Sequence, residues 1–251
     1  MAEVPETLEG WYALHDFRTM DWSKWRSVPI DERVKITSEL SEYLSVAESV
    51  TAGSSAVFNT IGHKADFLSL HLRPTLIELG NLELKLSNLR IGDFLKPSTS
   101  YLSVTELSLY EAYARGGTEE PSKLVELPFV QQRLYFKIPD MEYVSFYPMN
   151  KRRGETVNWY SAEMEERRRM MREHGATGRK YHGKVQQMIT GSTGLDDWEW
   201  GVTLFANDPL DIKKLVYEMR FDEVTAKYAD FGKFLIGNRI KQEEIAAYFS
   251  P

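Results

Sequence analysis

Apolar residues along this chain switch between alternation and steps of three and four, and the switches mark its elements. Trp11–Arg18 (WYALHDFR) has the aromatic and aliphatic mixture of a strand. Asp31 then opens a run whose Val34, Leu40, Tyr43 and Leu44 fall near helical spacing. Ser55–Thr60 and Ala65–Arg73 read as strands around an Ile61-Gly62-His63 turn, and Pro74–Leu89 carries a stripe of Leu76, Leu79, Leu82, Leu86 and Leu89. Ser100–Leu107 is a further strand, so the order is β-α-β-β-α-β.

The same order returns. Arg133–Pro139 (RLYFKIP) is predicted as a strand, and Ser161–His174 as a helix with acids in its first turn, bases in its last and Gly175 as its stop. Lys184–Thr190 and Trp198–Ala206 are strands, with Gly191–Gly194 (GSTG) as a hairpin loop between them. Asp208-Pro209 starts a helix with Ile212, Leu215, Val216 and Met219 inward, a helical stretch follows over Asp222–Phe231, and Lys233–Ile240 closes as a strand. ADFLSLHLRPTLIELGNLEL and EWGVTLFANDPLDIKKLVYEM align as strand, turn, proline, helix. The predicted class is therefore α+β, with two ferredoxin-like βαββαβ halves: 1–114, a breaker-rich linker at 115–121, and 122–251.

Composition narrows the chemistry. The apolar fraction of 42% and charged fraction of 27% are those of a soluble globular protein. No apolar run is long enough for a spanning helix, and MAEVPETLEG lacks the regions of a signal peptide, which points to the cytoplasm. The absence of cysteine excludes disulfides, thiolate metal sites and thiol nucleophiles. A net charge of −6 argues against general nucleic-acid binding. Positive charge is nonetheless concentrated between Ser145 and Gln187, where Lys151–Arg153, Arg167–Arg169, Arg172, Arg179, Lys180 and Lys184 are interleaved with aromatic groups. That pattern suits an anionic ligand with a flat apolar body.

Within this stretch the residues leave alternatives open. His174 follows Met170 and Met171 at helical spacing, so it is either a haem-iron ligand or a helix-terminal histidine that complements the dipole. His15, His63, His71 and His182 form no zinc spacing with it. Tyr147 in SFYPMNK, read as a loop after a strand, either supplies a hydrogen bond, a proton or an electron or is an aromatic plug. Lys151-Arg152-Arg153 is an anion clamp or a solvated run, and Arg167–Arg169 reads as an exposed helix face. No GxxxxGK[ST], GxGxxG or GxSxG motif is present.

SFYPMNKRR, Trp159-Tyr160 and MREHGATGRKYHGKVQQMITGSTGLDDWEWGVTLFA together resemble the chlorite dismutase superfamily, and within it the coproheme decarboxylase branch of Gram-positive bacteria. The likeness spans essentially the whole chain, from WYALHDFR to EVTAKYADFGKFLIGNRI. It implies a dimeric α+β barrel, commonly assembled as a homopentamer. It also implies a peroxide-dependent enzyme of haem biosynthesis that converts two propionates of Fe-coproporphyrin III (coproheme) to vinyls, giving haem b. An iron-inserting ferrochelatase is the implied upstream partner, in transient contact.

By the same resemblance His174 matches the axial metal ligand and Tyr147 the catalytic tyrosine, whose radical abstracts hydrogen from a propionate. Lys151 matches a propionate-binding lysine that serves the second decarboxylation, and Arg133 a further propionate clamp. Pro148, Met149 and Asn150 lie along the implied porphyrin edge. Gln187 matches the distal position, where chlorite dismutases carry an arginine, so chlorite breakdown is not implied. Thr225 matches a hydroxyl position that is often serine. Trp159 is left between a secondary radical site and packing.

Overall fold

The computed structural model describes residues 4–108 and 121–250. Its strands are β1 (Thr7–Met20), β2 (Ser54–Ile61), β3 (Phe67–Arg73), β4 (Leu95–Ser108), β5 (Tyr143–Lys151), β6 (Val185–Gly191), β7 (Trp200–Ala206), β8 (Ala229–Phe231) and β9 (Leu235–Ile240). Its helices are α1 (Trp22–Arg26), α2 (Ile30–Glu48), α3 (Leu76–Asn88), α4 (Pro121–Val125), α5 (Pro128–Leu134), α6 (Met164–Arg179), α7 (Pro209–Met219), α8 (Glu223–Tyr228) and α9 (Ile245–Tyr248), with short 3₁₀ turns between them. The linker expected at 115–121 lies outside the described residues, apart from Pro121 at the start of α4.

Both halves follow βαββαβ, as β1-α2-β2-β3-α3-β4 and β5-α6-β6-β7-α7-β9. Within each, the strands lie in equivalent order, β4-β1-β3-β2 and β9-β5-β7-β6. Seams β2–β9 (Val57↔Ile240) and β4–β6 (Val104↔Gly191) join the halves, and the β5–β7 pairing closes every strand except β8 into one barrel. At the β2–β9 seam a Cβ on Gly237 would stand 2.3 Å from the Asn59 carbonyl oxygen, so only glycine lets these backbones meet.

Strand alternation sorts the side chains. Phe17, Phe58, Leu68, Leu70, Tyr101, Phe146 and Phe205 fill the barrel. On the outside, α2 and α3 cover the first half, and α7 packs Ile212, Leu215 and Met219 on Val202, Leu204 and Ala206. Local signals set these helices. Thr75 and Glu78 form a capping box on α3, and Asp208 accepts the Leu210 amide at the start of α7, where Pro209 follows.

Several expectations are corrected. Arg133–Pro139 is not a strand: Arg133 and Leu134 end α5 and an extended segment follows, while the first strand of the second half is Tyr143–Lys151. Tyr147 therefore lies in a strand, not a loop. Pro148 had signalled a break, but β9 pairs with β5 over Tyr143–Phe146 and β8 over Met149–Lys151. The missing proline N–H falls where the ladder passes from one neighbour to the other. Helix α6 begins at Met164 and runs through Gly175 to Arg179, so His174 is in its interior. Val34 is 61% exposed, and Ile36 and Leu40 carry that face of α2 instead.

Candidate active site

On β5, Val144 and Phe146 point into the barrel, while Tyr143, Tyr147 and Met149 face the α7 layer. Tyr147 is buried, its ring stacked on Phe234 (centroids 4.3 Å) and tilted against Phe231 (5.6 Å). The Arg220 guanidinium lies 3.9 Å above Phe231. Burial pushes the phenol well up, against the weaker pull of Arg220. Pro148 and Asn150, with the opposite parity, turn away: Pro148 lies against Gly232, and Asn150 Oδ1 accepts the Glu199 amide at 2.8 Å.

The basic run after Asn150 divides. Arg152 and Arg153 are exposed and pair with Asp230 (2.9 Å) and Glu199 (3.6 Å). Lys151 is half-buried, with Nζ 4.8 Å over the Trp159 ring, and its amide donates to Glu199 Oε2 at 2.7 Å. Burial lowers its ammonium to about 8, although Asp222 and Glu199 oppose the fall.

His174 is half-buried on α6, and its face carries the buried Met170. Its Nδ1 lies 2.8 Å from Asp222 Oδ2, while Asp222 Oδ1 caps α8 by accepting the Thr225 amide at 2.8 Å. Burial pushes the Asp222 carboxyl up, but the His174 hydrogen bond and charge and the Thr225 donors outweigh it, and the net shift is downward. A carboxylate at Nδ1 assigns the ring proton there and leaves the Nε2 lone pair free to accept a proton or a metal. The buried Thr225 hydroxyl stands 3.4 Å from the same Nδ1, beside the imidazole.

Gln187 projects from β6 on the face of Val185 and Ile189. A Cβ on Gly178 would stand 3.2 Å from Met219 Cε and 3.4 Å from Gln187 Nε2. Gly178, four residues on from His174 and on the same helix face, thus presents a bare backbone there, at a helix-propensity cost of about 1 kcal/mol. A bare backbone next to a braced imidazole fits a flat macrocycle between α6 and the strands. Single-histidine ligation also fits: among the described residues no cluster of three His, Asp or Glu side chains could hold a bare ion. Arg133 joins indirectly. Its Nε donates to the Glu106 carbonyl (3.2 Å), Trp200 Nε1 donates to the Glu106 carboxylate (3.0 Å), and Trp200 is the register partner of Met149.

The structure thus brings Tyr147, Met149 and Lys151 onto one strand face and braces His174 with Asp222, a residue the sequence reading used only as a helix start. Glu199, Arg220, Phe231 and Phe234 were also missed, because each acts across a long sequence separation. An open cleft of about 720 Å³ at the β2–β9 seam, lined by Asn59, Asp140, Arg239, Lys241 and Tyr248 among others, shares no residue with this group.

Known proteins resemble this chain along its length. A family model described as chlorite dismutase matches residues 33–240. The coproheme decarboxylase of Staphylococcus carnosus is 50% identical over 99% of both chains. A heme-binding protein from Thermus thermophilus superposes with a TM-score of 0.90 at 42% identity, covering 100% of this chain and 99% of the other. A variant of chlorite dismutase from Candidatus Nitrospira defluvii shares the fold, with a TM-score of 0.77 at 20% identity over 97% of this chain and 96% of that one.

Proposed function

The chain belongs to the chlorite dismutase family, and from that premise we propose that it is a coproheme decarboxylase of haem biosynthesis. For each of two propionates, a carboxylate, one hydrogen peroxide and one proton yield a vinyl group, carbon dioxide and two waters. Within the structure one combination carries the reading: a braced single imidazole, His174, together with a buried phenol, Tyr147, on a nearby strand. A haem carrier needs the first and has no use for the second.

When bound, the iron porphyrin supplies the centre at which peroxide is reduced. His174 Nε2 would hold the metal, and Asp222 at Nδ1 would fix the tautomer and orientation of the imidazole. Burial keeps Tyr147 protonated, so its oxidation releases an electron and a proton together and leaves a neutral radical able to take hydrogen from a propionate β-carbon. Lys151 and Arg133 supply cations for propionates, and Lys151, with its lowered pKa, is also a proton source. Met149 lies on the same strand face as Tyr147, Gln187 offers a neutral amide rather than a cation, and Thr225 acts beside His174. Pro148 and Asn150 contribute through the backbone they shape. Homopentameric assembly, a cytoplasmic site and transient contact with a ferrochelatase complete the proposal. Among the described residues no helix is long and apolar enough to cross a membrane.

Mass spectrometry of the porphyrin after adding peroxide to coproheme-loaded protein tests the reading. Wild type should lose two carboxyl groups in succession and Tyr147→Phe none. An unaltered or merely bleached porphyrin in the wild type overturns it in favour of a carrier or peroxidase.

A further inference from the structure

Tyr147 is not the sole oxidisable side chain at this site. Trp159 is buried beside Met170, and its indole meets Tyr228 edge-on at 5.3 Å. Oxidising equivalents that reach Trp159 have a route onward to a second aromatic and are lost to the reaction. The Lys151 ammonium stands 4.8 Å over the indole.

Resting on the decarboxylase reading, we propose that Lys151 protects Trp159 from oxidation and so directs the oxidising equivalents of peroxide to Tyr147. A cation over an indole is attracted by the electron-rich face. Withdrawing one electron from that ring creates a radical cation beneath an ammonium, and the attraction becomes like-charge repulsion in a site with little water. The charge disappears only if the ring N–H proton leaves. An indole radical cation is a weak acid, and among the described residues no protein group accepts from the Trp159 N–H, whereas Trp25 donates to the Phe249 carbonyl and Trp200 to Glu106. Tyr147 differs in kind: a phenol radical cation is a far stronger acid than an indole radical cation, so the phenol proton leaves with the electron, to solvent or a substrate carboxylate, and no net charge develops on the ring. The Cα atoms of Lys151 and Tyr147 are roughly 13 Å apart along the strand, and the cation that acts on the phenol is Arg220, whereas the Lys151 ammonium stands 4.8 Å over the indole.

Lys151 thereby gains a task separate from binding a propionate, and the two can be read apart. The product to measure is hydroxytryptophan at position 159, formed from the indole and one peroxide with release of one water. Peptide mapping after peroxide treatment of coproheme-loaded protein is run on Tyr147→Phe, Tyr147→Phe/Lys151→Met and Tyr147→Phe/Lys151→Arg. All three lack the phenol, so oxidising equivalents are left unspent to the same degree. Trp159 should stay intact in Tyr147→Phe and in the arginine variant, and its oxidised fraction should rise on the order of tenfold or more in the methionine variant. Thermal melts and coproheme titrations verify that each variant is folded and loaded. Oxidation of Trp159 in Tyr147→Phe with Lys151 in place, or its absence in the methionine variant, overturns the proposal. Failure of wild type to release carbon dioxide overturns the underlying reading instead.

Discussion

Replacing Lys151 with methionine should stabilise the porphyrin-free protein while weakening its hold on the substrate. Methionine keeps the length and apolar stem and removes the charge. The ammonium falls from 10.5 to about 8 because burial strips its water faster than Asp222 and Glu199 compensate. That difference corresponds to roughly 3 kcal/mol of unfavourable free energy in the folded state, an upper bound because the protein and nearby water relax around the charge. The folded state binds its proton more weakly than the unfolded chain. The penalty is therefore complete below about pH 8 and fades as pH rises toward 10.5. Calorimetry of porphyrin-free protein from pH 6 to 10.5 checks this. At pH 7 the variant should melt several degrees higher, at about 2–4 °C per kcal/mol for a chain of this size. By pH 10.5 the two melts should converge. A variant that is less stable at pH 7, or whose advantage persists at pH 10.5, refutes the reasoning. Coproheme affinity should fall in the same variant, because a substrate carboxylate offsets the penalty in wild type and has nothing to pair with in its absence.

Other substitutions test the rest of the site and the scaffold. Asp222→Asn removes the anion behind His174; coproheme affinity should drop about 10–100-fold and the iron–histidine stretching frequency of the ferrous form should fall, and an unchanged frequency would contradict the bracing role. Gly178→Ala should lower coproheme affinity by crowding Met219 and Gln187 without destabilising the porphyrin-free protein, as binding titrations and melts can establish. His15 and His71 are held neutral, each lowered to about 3, His15 by burial and His71 by burial and then by Arg73 and Arg18. Their contribution to stability is complete above pH 6.5 and is lost as pH falls toward 3, on the order of 5 kcal/mol per histidine at the acid limit. The pH dependence of stability near pH 5 should therefore become shallower by about one proton in His71→Asn.

The duplicated order was legible because each half repeats a strand, a turn, a proline and a leucine-rich or isoleucine-rich helix, all of them local signals. What misled was local as well. Leu134 and Phe136 are both buried, so RLYFKIP has the apolar content of a strand although it forms a helix end and an extended plug. Pro148 marks a break only if both neighbours of a strand are continuous, and β5 has a gap on one side. Gly175 reads as a helix stop, yet α6 continues through it. At the site, the resemblance indicated His174, Tyr147 and Lys151, and the alternation of β5 explains why Tyr147 and Lys151 share a face. The Asp222–His174 and Glu199–Lys151 contacts span 48 residues each, and no spacing rule reaches that far.

Closure of the barrel also dictates how the chain must fold. Strand β2 finds its outer partner about 180 residues later in β9, and β4 finds its own in β6. During synthesis the first half must therefore wait, with β2 and β4 as open edges, until nearly the whole chain has emerged. High contact order of this kind predicts slow folding and a first half that aggregates when made alone. The two repeats look separable in sequence, but neither is a finished fold until the last strand has closed the ring.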